Sequence, residues 1–385
     1  MRVLLDVSAV PARPVGAGVY TIAIARGISA RDDIDVHLLT RRDDITRWTD
    51  LAPRAELHAL APKHRPVRLA WEQAAGPRVA QRIRPDVWHG PHYTMPLRST
   101  VPTVVAMHDL TFFDHPEWHE RSKVIYFRRM IAASARRADV IITGSNDAAE
   151  GLRARFRLQG EIVVVHHGVD HLRFSPTGDD AADRAALAKH GITSPYVAFA
   201  STIEPRKDVP TLVRAFARIA PAHPDLQLVL AGGDGWGVAE ARAAIASSGV
   251  ATRILRPGYV DDATLAALFR RAEVIAYPSL VEGFGMPALE ALASGTPLVT
   301  TSGSALEEVV GDAALLVPPA DPDALARALS TVLDDANVAE RLRAAGPARA
   351  ATFTWERSID AHVDAYRRAI GRGTSGRGRR AAVPG

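Results

Sequence analysis

The densest chemistry in this 385-residue sequence lies in Ser279-Leu280-Val281-Glu282-Gly283-Phe284-Gly285-Met286-Pro287-Ala288-Leu289-Glu290, where two carboxylates stand eight positions apart across a glycine-containing loop. Upstream, Glu273-Val274-Ile275-Ala276-Tyr277-Pro278 reads as a short buried strand. Pro287 suits the first turn of a helix, where its missing N–H costs nothing, so a helix is expected to open near Met286. The free amides of that turn suit a phosphate, by up to about 2 kcal/mol of dipole interaction in a partly buried site. Glu282 then falls on the loop and Glu290 on the first turn, both in reach of one ligand. A diphosphate alone would not call for two acids; a hydroxyl-rich sugar carried on it would. The plain alternative is a solvated loop acid followed by an ordinary helix-surface acid.

The run VEGFGMPALEALASGTPLVTT resembles the E-x7-E segment of glycosyltransferase family 4, a large retaining group whose fold, called GT-B, has two facing Rossmann-like domains. The resemblance implies that Glu282 contacts the donor sugar hydroxyls, that the loop amides of Phe284, Gly285 and Met286 hold the diphosphate, and that Glu290 binds the ribose. It also implies an active site in the cleft between the two domains.

Further stretches carry the same resemblance. Ser201-Thr202-Ile203-Glu204-Pro205-Arg206-Lys207-Asp208 follows a strand and precedes a helix over 209–219, so Arg206 and Lys207 can project from the leading loop. Two cations there would neutralise a diphosphate leaving group, each charge-assisted hydrogen bond contributing roughly 1.5–3 kcal/mol. Many family members have Gly-Arg at Ser201-Thr202 and a Lys five positions after that Arg, which Lys207 matches. The missing Arg is a departure, and Arg206 is expected to replace its charge, as in the subgroup reading T-I-E-P-R-K. Tyr259 and Val260, in Arg256-Pro257-Gly258-Tyr259-Val260-Asp261, match the place where the family binds the nucleotide base; Tyr259 could equally be a core aromatic. Asp262 is expected to cap the next helix.

In the first half, Gly16-Ala17-Gly18 resembles the glycine loop that closes over the donor phosphates, although G-x-G alone marks many tight turns. His108, in Met107-His108-Asp109-Leu110, ends an expected strand. A lone strand-end histidine is often structural, but the matching family histidine lies near the transferred sugar. His89, His92, His166 and His167 are weaker candidates, without metal-ligand spacing. The strings Asp33-Ile34-Asp35 and Asp321-Pro322-Asp323 have the form that holds manganese in another transferase fold, yet the first precedes a strand and the second starts a helix. Transfer is therefore expected to need no metal and no cofactor.

The elements that must position these groups alternate between short apolar runs and helical patterns, the mark of parallel sheets covered by helices. Strands are expected at 3–7, 36–39, 87–89, 103–108, 140–143 and 162–166, with helices at 18–29, 69–82, 122–137 and 146–155. A second set of strands falls at 196–200, 226–231, 253–255, 274–277, 297–300 and 314–317. The fold class is α/β with two Rossmann-like domains. The resemblance implies that residues 1–175 form the acceptor domain and 190–350 the donor domain. The polar stretch Ser175–Asp180 marks the crossing, a helix is expected over 355–370 that the GT-B resemblance implies returns to the first domain, and 371–385 are expected to form a disordered basic tail.

Composition fits an ordinary globular protein, with 47% hydrophobic and 23% charged residues. The sequence offers no run of ~18–20 apolar residues for a membrane span. The absence of cysteine excludes disulfides and thiolate catalysis and fits a cytoplasmic location. Net charge is only +4, but basic residues cluster at Lys63–Arg68, Arg128-Arg129, Arg136-Arg137 and Arg372–Arg380. Solvated surface explains each; a peripheral contact with anionic lipid at the inner face of the membrane is the functional expectation. Nucleic acid is not an expected partner.

The T-I-E-P-R-K subgroup resembles mannosyltransferases that use GDP-mannose in polysaccharide or glycolipid assembly. The expected activity is retaining transfer of a hexose, mannose foremost, to a saccharide or lipid-linked acceptor. An NAD-dependent oxidoreductase is the alternative from another class, but Thr21 occupies the third glycine position of its G-x-G-x-x-G fingerprint. A nonenzymatic carbohydrate-binding protein of the same fold is the other.

Overall fold

The computed structural model describes residues 1–380, with side chains through 373. The chain divides into two compact units, the first made of Met1–Phe113, Ser122–Gly168 and the segment from Trp355 onward, the second of Asp114–Arg121 and Val169–Thr354.

Among the described residues, the first unit holds a seven-stranded sheet built from β1 (Arg2–Asp6), β2 (Asp35–Arg41), β3 (Glu56–Ala61), β4 (Val87–Gly90), β5 (Thr103–Ala106), β6 (Val140–Thr143) and β7 (Glu161–Val164). Its order is β3-β2-β1-β4-β5-β6-β7, and every pairing is parallel. The second unit holds a six-stranded sheet of β8 (Tyr196–Ala200), β9 (Gln227–Ala231), β10 (Ile254–Gly258), β11 (Val274–Tyr277), β12 (Leu298–Thr301) and β13 (Leu315–Val317). Here the order is β10-β9-β8-β11-β12-β13, again all parallel. Central strands such as Val140-Ile141-Ile142-Thr143 are buried throughout, which is why they read as continuous apolar runs: helices cover both faces. β3 was not expected from sequence. As an edge strand with Glu56 and His58 alternating with small apolar residues, it lacks that run.

Strand order reverses at β1/β4 in the first sheet and at β8/β11 in the second. The segments leaving those strand ends flank the crevice in which sheets of this kind bind ligands.

Three expectations need correction. The polar stretch Ser175–Asp180 lies inside the second unit, where Asp179 caps the helix Asp180–Ala188 by accepting from the amides of Ala181 and Ala182. Asp261, not Asp262, caps the helix Asp262–Arg271 through the amide of Thr264 at 2.7 Å, because the cap must stand one residue outside the helix. Asp262 instead pairs with Arg173 at 2.8 Å. Finally, the last helix does not stop at 370: it runs Trp355–Arg380, and the part of the expected disordered tail at 381–385 lies outside the described residues. Arg372 donates to the carbonyl of Gln159 at 2.8 Å, and Gly373 lies so close to Pro102 that an added Cβ would sit 2.6 Å from its Cγ. These contacts hold the extension to the first unit. Within that unit Val363, Tyr366 and Ala369 join a core with Tyr20, Ile24 and Val104.

Candidate active site

The two segments leaving β8 and β11 build the charged centre of the second unit. After β8 the chain enters a short turn, Pro205–Lys207, and then Asp208, which adopts φ 45° and caps the helix Val209–Ile219 through the amide of Thr211. That left-handed residue ends the turn sharply, so Arg206 and Lys207 face the neighbouring strand end instead of joining the helix surface. Leu280, on the loop after β11, donates its amide to the carbonyl of Arg206 at 2.8 Å and ties the two segments together.

Glu282 sits at the focus. Its Oε1 accepts from Lys207 Nζ and from the Tyr277 hydroxyl, the latter at 2.8 Å, and its Oε2 accepts from Arg206 Nη1 at 2.5 Å. Lys207 also donates to the Tyr277 hydroxyl and lies 4.8 Å from the centre of that ring. Arg206 reaches further to the carbonyl of Val281 at 3.2 Å and to Glu204 at 2.9 Å. Lys207 and Glu282 are only 4% and 7% exposed, so each needs the other: a buried charge without a partner costs several kcal/mol. Burial would raise the Glu282 carboxyl, but the Arg206 and Lys207 charges win and hold it at about 2. Burial and the Arg206 charge bring the Lys207 ammonium down to about 8, against the pull of Glu282. An ammonium has three donors, of which two are used here, which leaves one N–H for a ligand.

The loop continues to Gly285, which has φ 96° and stands at the N-terminus of the helix Met286–Ala293. An added Cβ there would approach Leu306 Cδ2 to 2.4 Å, so both conformation and space demand glycine. The Phe284 ring is buried against Phe353, 6.0 Å between ring centres, and only its backbone is placed for an amide role. Met286 is half-buried. Glu290 lies on the second turn, one turn later than expected, half-buried. Burial pushes its carboxyl up to about 7, with Arg173 opposing and Asp262 reinforcing the rise. Ser201 and Thr202 are half-buried at the end of β8, where the Ser201 amide donates to the Ala231 carbonyl. Tyr259 is 46% exposed, which removes its reading as a core aromatic, and Val260 beside it is buried.

In the first unit, Gly16 has φ 45° and precedes the helix Ala17–Ser29, with open space where a Cβ would stand. Gly18 packs under Pro14, 3.1 Å from a would-be Cβ. His108 follows β5, its Nε2–H donating to the Pro91 carbonyl at 2.9 Å, which leaves Nδ1 an acceptor without a donor among the described residues. Burial lowers its pKa, so the ring is neutral at pH 7. Tyr20 packs edge-on against it at 5.1 Å and donates to His362 Nε2 at 2.7 Å; His362 donates in turn from Nδ1 to the Ser358 carbonyl. His89, His92 and His167 surround this group, and burial lowers all three. Among the described residues none of these histidines joins a cluster with metal-ligand geometry.

Arg206, Lys207 and Glu282 thus converge on one another, a pairing the motifs did not give, with Glu290 on the following helix. Two partners escaped sequence reading: Tyr277, treated only as the end of a strand, and Glu204, part of the motif but given no role. Glu72 escaped as well. It is buried in the helix Arg65–Ile83, accepts from Thr94 at 2.8 Å and from Gln73 at 2.8 Å, and burial together with the Asp6 charge pushes it up to about 8.

Comparison with known proteins places the chain in a family. Residues 14–173 match the family described as Glycosyltransferase Family 4, and residues 183–349 match Glycosyl transferases group 1. The O-antigen chain mannosyltransferase B of Escherichia coli is 31% identical over 288 residues, covering 73% of this chain and 74% of that protein. The D-inositol 3-phosphate glycosyltransferase of Salinispora tropica is 30% identical over 402 residues, covering 92% of this chain and 81% of the other. Among solved structures, the sucrose-phosphate synthase of Thermosynechococcus elongatus superposes with a TM-score of 0.78 at 22% identity, covering 96% of this chain and 99% of that one. With two parallel-sheet α/β units of GT-B type and matches along both, the chain belongs to glycosyltransferase family 4 and is a glycosyltransferase.

Proposed function

We propose that this enzyme moves a hexose, mannose foremost, with retention of configuration, from a nucleotide-diphosphate sugar, GDP-mannose foremost, to a saccharide or lipid-linked acceptor, without a metal ion at the transfer site. The observation that carries the reading is the pairing of Lys207 and Arg206 on one buried carboxylate at the β8/β11 strand ends, with an N–H of Lys207 left over. The mannosyltransferase name of the Escherichia coli relative supports the choice of sugar.

In the transfer step the acceptor oxygen bonds to the anomeric carbon as the bond from that carbon to the phosphate oxygen breaks. The phosphate oxygen keeps the electron pair and takes the acceptor proton. Lys207, Arg206 and the amides of Gly285 and Met286 stabilise the charge that gathers there. Glu282 keeps Lys207 protonated despite its burial and aims it. Neutral His108 offers Nδ1 to a sugar hydroxyl, Glu290 a carboxylate to the ribose, and Tyr259 and Val260 contact the base. Ser201 and Thr202 line the phosphates beside Arg206. Gly16 leaves backbone room for donor phosphates, and Gly18 lets the same turn pack closely under Pro14.

The test is thermal stabilisation by GDP-, UDP-, ADP- and dTDP-sugars with NAD as control. GDP-mannose should raise the melting temperature most; a response to NAD and to no sugar nucleotide would overturn the reading. NMR of the product should show the donor's anomeric configuration, and an inverted product sinks retention. The exposed Arg136, Arg137 and Arg372 support peripheral contact with anionic lipid, which flotation with anionic vesicles tests: protein left at the bottom of the gradient rejects it.

A further inference from the structure

The outer edge of the first sheet carries a cluster unrelated to sugar transfer. In the parallel register His37 on β2 stands across from Glu56 on β3, and Leu39 across from His58. Side chains two apart on a strand share a face, so Asp35, His37, Glu56 and His58 all project to the same side. His37 Nδ1 lies 2.8 Å from His58 Nε2 and 3.7 Å from Glu56 Oε2, and His58 Nε2 lies 3.5 Å from Glu56 Oε1. A tetrahedral zinc ion with nitrogen and oxygen ligands at ~2.0–2.2 Å sets its ligand atoms about 3.3–3.6 Å apart. The separations to Glu56 are already near that range, and the two rings need to part by only about 0.5 Å to complete it.

A second observation points the same way. His37 is 5% exposed, and its buried Nε2 makes no hydrogen bond of good geometry. That atom lies 3.3 Å from Asp35 Oδ1. Coordination through Nδ1 fixes the proton on Nε2 and aims it at Asp35, the carboxylate–histidine–metal arrangement that orients metal ligands elsewhere. Without a metal the two facing imidazole nitrogens must share a single proton.

We propose that His37, Glu56 and His58 bind a divalent transition-metal ion of the zinc type, with Asp35 orienting His37, and that the ion clips edge strand β3 to β2. Glu56 opens its strand and is exposed, which leaves a way in and a fourth position for water. The ligands lie toward the strand starts, at the opposite end of the sheet from the segments bearing Gly16, Gly18 and His108. Arg2, bonded to Asp35 at 2.7 Å, and Arg82, whose charge acts on His58, are the nearby cations against which two carboxylates set the balance.

The experiment is zinc titration of the full-length, tag-free chain against a chromophoric chelator, with cobalt as spectroscopic probe. One equivalent should bind, cobalt should give the visible bands of a tetrahedral site, and the melting temperature should rise. His58→Gln and a His37→Gln/His58→Gln double variant should lose all three, and Asp35→Asn should weaken binding by about 10- to 100-fold. Absence of a tetrahedral cobalt spectrum in the unaltered chain overturns the proposal whether or not the variants fold, as does undiminished zinc binding in the double variant.

Discussion

Replacing Lys207 by Ala removes the cation that both charges the proposed leaving-group site and neutralises Glu282. The stability cost is bounded by what breaking a buried pair costs, about 3–5 kcal/mol, and should fall at the low end because Arg206 and Tyr277 still reach the carboxylate. The catalytic cost follows from losing one charged donor to an oxygen that becomes anionic, which lowers kcat by roughly 10²–10³-fold. Stopped-flow release of nucleoside diphosphate from GDP-mannose, read beside a thermal melt, separates the two. A double variant, Lys207→Met with Glu282→Gln, sharpens the distinction. It removes both buried charges and should recover much of the stability, yet it should not recover turnover. If folded Lys207→Ala turns over near the wild-type rate, or if the double variant regains activity together with stability, then Lys207 serves only to neutralise Glu282 and the proposed mechanism is wrong.

Three further outcomes are expected. Because Lys207 in the free enzyme titrates at about 8, its charge is lost above that pH, and kcat/KM should fall tenfold per pH unit there; a flat profile to pH 10 contradicts the assignment. Glu72, raised to about 8, holds its proton in the folded state where the unfolded chain has lost it, so stability must fall as pH rises from about 4.5 through 8. Between pH 6 and 9 the wild type should lose roughly 3 kcal/mol relative to Glu72→Gln, and equal pH dependence of the two melts would refute this. Gly285→Ala should cost about 2–4 kcal/mol through its positive φ and the collision with Leu306, and should abolish stabilisation by donor; an unchanged melt would show that the loop relaxes freely.

Much of this was legible in the sequence. Val140–Thr143, Tyr196–Ala200 and Val274–Tyr277 emerged at their observed bounds, because strands buried on both faces must be apolar end to end. Lys207, Arg206 and Glu282 were named from motifs. Their mutual pairing was not, since it depends on β8 and β11 being neighbours, and strand order leaves no mark in residue spacing. For the same reason Tyr277 looked like a strand end and not a partner of Lys207. Glu72 hid inside a helix of mixed polarity, and the groups that act on it, Thr94 by a hydrogen bond and Asp6 by its charge, are distant in sequence. His37 and His58 could not be linked while β3 went unrecognised. The cap at Asp261 was missed by one residue because two adjacent aspartates offer the same chemistry and only the helix start decides between them.

The helix from Trp355 also bears on the order in which the protein takes shape during synthesis. Tyr20 and Ile24 leave the ribosome well before Val363, Tyr366 and the His362 ring that receives the Tyr20 hydroxyl. The second unit, contiguous from Val169 to Thr354 apart from one short earlier segment, is complete before them. The first unit must therefore wait with its apolar surface unsealed while the second matures, and a stop near 354 should leave the first unit unfolded, not the second.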